Sequence, residues 1–109
     1  MKDQKRGGLD MLLAECSLNE SYFRVESTTH ALDRMKERSI DKEVVTAIIL
    51  SLEQKLLDYN DSGEEVAIID QEHNLAVIIE VRDFKAVVIT VINKSNIHIK
   101  DGTQLEEIA

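Results

Sequence analysis

The sequence predicts an α+β domain in which N-terminal helices pack on a four- to five-stranded antiparallel β-meander. Three observations lead there. Apolar residues recur at helical spacing through residues 29–53. From about residue 55 the period changes to two. Ala76-Val77-Ile78-Ile79 and Ala86-Val87-Val88-Ile89 are apolar on both faces, as central strands covered on both sides are.

Taken in order, residues 1–8 are charged, contain Gly7 and Gly8, and read as a flexible N-terminal tail. Leu9, Leu12, Leu13 and Cys16 stand at helical spacing and predict a short helix over 9–17. Residues 17–21 read as a polar loop, and Tyr22 to Glu26 as a short strand. Thr28 or Thr29 is a natural N-cap for a helix from about 29 to 38, which Ser39-Ile40-Asp41 breaks. Asp41 caps a second helix whose apolar face is Val44, Val45, Ile48, Ile49 and Leu52. Strands are expected at 55–59, 66–70, 75–82 and 85–93. The connections are a turn at 60–63, a reversal at 71–74 and a tight turn at Asp83-Phe84. Residues 96–100 add a last short strand, and 101–109 read as a C-terminal tail. The chain is thus one α+β domain over 9–100 with a tail at each end.

The net charge of −8 argues against general affinity for nucleic acid. The acidity is local, however. Residues 53–80 carry Glu53, Asp58, Asp61, Glu64, Glu65, Asp70, Glu72 and Glu80 against Lys55 alone. A neutral or basic patch therefore forms if Arg24, Arg34, Arg38, Arg82 and Lys85 converge. No apolar run is long enough for a membrane span, and no signal-peptide pattern is present, so a cytoplasmic location is expected. A lone Cys16 forbids an intramolecular disulfide. His30, His73 and His98 stand far apart, with no metal-ligand spacing and no nucleotide-binding glycine pattern, so neither metal nor cofactor is expected. His73 falls in a turn and His98 on an edge strand, both facing solvent.

The chemistry concentrates in one stretch. On a helix starting near residue 29, His30, Arg34 and Arg38 lie four apart and form one polar stripe, opposite Ala31, Leu32 and Met35. Such a stripe is ordinarily a solvated face. It also holds what phosphate chemistry uses: an imidazole that moves protons near neutral pH and guanidinium forks that match phosphate oxygens. Thr90 interrupts the apolar run Val88-Ile89-Thr90-Val91-Ile92. Its hydroxyl either bonds a neighbour inside the core or orients a phosphate.

The pattern Thr28-x-His30-Ala31-x-x-Arg34-Met35-x-x-Arg38-x-Ile40, followed by Val88-Ile89-Thr90-Val91, resembles a family of small bacterial and phage domains of unknown function. That family is similar to the barnase–EndoU–colicin–RelE superfold of metal-independent RNases and toxins. The resemblance spans roughly residues 22–93. It implies a RelE- or barnase-like fold, a phage or mobile-element origin, and toxin-like RNase activity with RNA as partner. By the same resemblance His30 is general acid or base, Arg34 and Arg38 hold phosphate, and Thr90 positions substrate. This chain departs from the pattern in two places. Ser39 stands where the family often has Gly, and Ile92 stands where it often has an aromatic residue.

Two other readings stay open. The acidic 53–80 segment suits a non-enzymatic inhibitor or nucleic-acid mimic that acts on a basic protein partner. The doubly apolar strands suit a homodimer formed through the sheet face away from the 29–53 helices.

Overall fold

The computed structural model describes residues 10–60, 65–99 and 102–108. The expected tail at 1–8 and most of the expected 60–63 turn lie outside them. The chain order is β1 (Met11–Leu18), β2 (Ser21–Ser27), α1 (Thr29–Glu37), α2 (Lys42–Leu50), α3 (Lys55–Asp58), β3 (Glu65–Asp70), β4 (Leu75–Arg82), β5 (Lys85–Ile92) and β6 (Gln104–Ile108).

The strands form one six-stranded sheet in the order β1-β2-β5-β4-β3-β6. This corrects the expected antiparallel, RelE- or barnase-like meander. The sheet is mixed: β2 runs parallel to β5 and β3 parallel to β6, while the other neighbours are antiparallel. Both edge strands fall where no strand was expected.

The expected 9–17 helix is strand β1. The segment offers a second apolar set, at period two, beside the one at period 3.6. Ala14, Cys16 and Leu18 turn inward, and Glu15 and Ser17 outward. Asn19 and Glu20 then close a two-residue hairpin with φ of 50° and 69°, the left-handed pair that matches strand twist. The register places Ser17 opposite Tyr22 and Glu15 opposite Arg24. The expected strand at 55–59 is instead the single turn α3, which buries Leu56 fully. No regular strand forms at 96–99, and β6 lies within the expected C-terminal tail.

Local signals hold where they are strongest. Thr28 caps α1 by accepting from the Ala31 N–H at 3.0 Å. Asp41 caps α2 by accepting from the Glu43 N–H at 2.8 Å. Asp83 and Phe84 turn with φ of 54° and 58°. Phe23, Val25, Val88, Val77 and Ile68 line the sheet face that packs on Ala31, Met35, Val45, Ile49 and Leu56 of the helices.

The second sheet face is covered too, since Ala67, Ala76 and Val87 are fully buried. Part of its cover is the irregular segment 93–99 together with Thr103. Ile97, His98, Ile99 and Thr103 face Ile78 and Ile89 of the sheet across a cavity of about 310 Å³. Doubly apolar strands therefore have a second cover within this chain.

Strand β6 is pinned to α3 by one carboxylate. Glu106 accepts from the Tyr59 hydroxyl and pairs with Lys55 Nζ at 3.1 Å. Burial, then the Glu106 bond, pushes the Tyr59 hydroxyl up to about 12. The Tyr59 bond, helped by Lys55 and opposed by burial, lowers the Glu106 carboxyl. A raised phenol value means that the folded protein holds its proton where the unfolded chain has begun to lose it. That stabilisation is complete below about pH 10, the ordinary tyrosine value, and is lost as pH rises through about 12. The Glu106 contribution is present above the ordinary carboxylate value and is lost on acidification. Urea midpoints measured from neutral pH to pH 12 should fall steeply above pH 10, and Tyr59→Phe should flatten that fall.

Candidate functional site

Strand β2 feeds directly into α1. The Thr28 N–H donates to the Val88 carbonyl at 3.1 Å as the last link to β5, and Thr28 Oγ1 then caps the helix. Helix α1 continues beside the second half of β5. Ala31 and Met35 enter the core. Arg38 reaches back to the strand, and its Nη1 donates to the Val91 carbonyl at 2.7 Å. A sheet edge that β2 no longer pairs is thus satisfied by a guanidinium.

The helix end is set by a residue of unusual backbone. The Ile40 N–H donates to the Met35 carbonyl at 2.8 Å and the Ser39 N–H to the Lys36 carbonyl at 3.3 Å. Ser39 takes φ of 55°. This is a Schellman stop with serine where glycine is usual. The helix ends sharply without a glycine, at the cost of holding an L-residue left-handed. Ser39→Gly should therefore stabilise the fold by about 1 kcal/mol, read as a rise in the urea midpoint at unchanged slope.

Of the sequence-predicted site residues, His30 is exposed in the first turn of α1, and Arg34 and Arg38 are half-buried one and two turns on. The first turn carries no acidic residue, so its free N–H groups keep their preference for an anion. Among the described residues, no carboxylate pairs with His30, Arg34 or Arg38. The sheet cations and Lys55 differ. Arg24 and Lys85 share Glu26 at 3.1 and 3.6 Å, Arg82 pairs with Glu80 at 2.9 Å, and Lys55 with Glu106. Register aligns Arg24, Lys85 and Arg82 in one row across β2, β5 and β4. Three of the five residues of the anticipated basic patch thus converge, each beside a carboxylate.

Thr90 is placed by a bulge. Ile79 pairs with Val88 and Ile78 with Thr90, so Ile89 is an extra residue in β5. Strict alternation puts Thr90 on the core side with Val88. The bulge turns it to the opposite face and sends Val91 into the core. Thr90 lines the cavity of about 310 Å³ with His98 and Glu65, and His30, Arg34 and Arg38 do not line it. The structure therefore links Arg38 to β5 at Val91 and sets the Thr90 side chain on the other sheet face.

His73 stands exposed in the β3–β4 turn, as expected, and a buried carboxylate holds it there. Its Nδ1 meets Oδ2 of Asp70 at 2.5 Å, and Asp70 Oδ1 accepts from the Glu72 N–H at 3.1 Å. Asp70 is 2% exposed. The pair opens on a cleft of about 420 Å³ between the β3–β4 turn and α2, lined also by Asp41, Glu43 and Ser51. The available signal was the Asp70-x-x-His73 spacing across a turn. Cys16 is half-buried on β1, and burial raises its thiol, which makes it a poor nucleophile.

Among the described residues, no group of three or more His, Cys, Asp or Glu is placed to hold a metal ion. No described helix is long and apolar enough to cross a membrane. Compared with known proteins, the chain matches no family model, no curated protein and no solved structure.

Proposed function

We propose that this chain binds RNA along the His30–Arg34–Arg38 stripe of α1 and cleaves it without a metal ion, as a toxin-like endoribonuclease. One observation carries the reading. An exposed imidazole stands at a helix N-terminus that has no acidic residue in its first turn. Arg34 follows on the same stripe without a carboxylate partner among the described residues, and Arg38 is held by the Val91 carbonyl. A phosphate at that N-terminus meets N–H groups, the imidazole and a guanidinium together.

The step needs few groups. Neutral His30 takes the proton of a ribose 2′-hydroxyl. The 2′-oxygen attacks the adjacent phosphorus, and the bond from phosphorus to the 5′-oxygen breaks. The leaving oxygen takes a proton from water, and the proton held by His30 passes to the hydroxide so formed, which restores both. Arg34 and the helix N-terminus stabilise the charge that gathers on the phosphoryl oxygens. The products are a 2′,3′-cyclic phosphate and a 5′-hydroxyl. The Thr90 hydroxyl, on the sheet face away from α1, takes no part in this step.

The mimicry reading needs a continuous acidic ridge. Among the described residues of that segment, Asp70 is buried against His73 and Glu80 pairs with Arg82, so neither joins such a ridge. This weighs against that reading.

Incubating purified protein with single-stranded RNA in EDTA tests the proposal. Cleavage with cyclic-phosphate ends should persist in the chelator. RNA left intact across a range of pH and salt, or cleavage that returns only with added magnesium or zinc, overturns it.

A further inference from the structure

We propose that β1 is the contact surface of a homodimer, in which two copies pair β1 antiparallel about a two-fold axis and join their sheets into one. The backbone supplies the first reason. β1 is an eight-residue edge strand paired with β2 alone among the described residues. Its outer N–H and C=O groups form a template for another strand.

Edges are commonly blunted by charge, proline or shortness. The opposite edge, β6, has only five residues and carries Glu106 and Glu107. β1 has no lysine, arginine or proline, and Glu15 is its only charge. Met11 and Leu12 are 53% and 50% exposed there. Leu13 sits in a bulge, opposite no residue of β2.

The surroundings favour a second copy of this chain as the occupant. Leu12 and Leu13 line a hollow of about 290 Å³ with Lys42, Glu43 and Thr46 of α2. Lys42 and Glu43 are exposed, adjacent and opposite in charge. A two-fold axis makes such a shoulder complementary to itself, setting Lys42 of one copy toward Glu43 of the other. Glu15 fixes the register. An axis at Glu15 would oppose two like charges, whereas an axis near Leu12 keeps them apart and sets the exposed Leu12 of each copy against the other. The α2 shoulder widens the contact toward the ~1,200 Å² or more that stable association buries. This interface lies at the sheet edge, not on the sheet face that 93–99 and Thr103 overlie.

Light scattering on the full chain across the micromolar range tests the proposal. Wild type should be a dimer. Leu12→Lys places a charge on a half-exposed side chain, so the fold should hold by circular dichroism while dimer affinity falls at least about tenfold. Leu105→Lys, at the β6 edge, should leave the dimer intact. Amide exchange should show outer β1 N–H groups protected at high concentration and unprotected on dilution. A wild-type monomer overturns the proposal, and if its β1 amides stay protected on dilution, the chain itself covers this edge. A dimer broken by Leu105→Lys but not by Leu12→Lys overturns it equally.

Discussion

His30→Ala is expected to lower RNA cleavage by about 10²–10⁴-fold, the usual worth of general acid–base catalysis. The fold should be unaffected. His30 is exposed and makes no side-chain bond among the described residues, and such surface changes stay within about 0.5 kcal/mol. The separation of activity from stability makes the variant decisive. Arg34→Ala should also lose activity, and Arg34→Lys should recover part of it, because an ammonium restores the charge but not the bidentate fork. In bacteria, induced wild type should arrest growth and His30→Ala should not. Cleavage unchanged in His30→Ala would remove the site from α1 altogether.

Phe23→Ala should destabilise the fold by about 3–5 kcal/mol, and Tyr22→Ala should change it by no more than about 0.5 kcal/mol. These aromatic neighbours stand one residue apart on β2. Phe23 is fully buried against the helices, and Tyr22 is 56% exposed. Successive side chains on a strand point to opposite faces. Removing Phe23 leaves a cavity in a close-packed core layer, which its neighbours cannot fill without moving backbone. Losses on that scale take much of the stability of a domain this size. Urea unfolding of the two variants measures the register of β2 directly. A larger loss from Tyr22→Ala than from Phe23→Ala would mean that β2 is placed with the wrong face inward.

Elements whose causes are local are legible in the chain alone. Thr28 and Asp41 cap their helices because the bonded N–H lies two or three residues on. The stripe of His30, Arg34 and Arg38 follows from helical periodicity once that cap is placed. Asp83-Phe84 reverses the chain within two residues, so β4 and β5 must pair. Tertiary structure decided the rest. Leu12, Leu13 and Cys16 suit a helix while Ala14, Cys16 and Leu18 suit a strand, and pairing with β2 chose the strand. The parallel pairing of β3 with β6 joins residues that are far apart along the chain, and a polar five-residue segment carries no local sign of its partner. Placing β2 beside β5 set α1 along the strand edge and gave Arg38 the Val91 carbonyl. A single extra residue in β5 moved Thr90 to the opposite face from Val88. Caps and turns are governed by hydrogen bonds within a few residues. Strand order and bulges depend on which distant edges are left unpaired, which no short window of sequence contains.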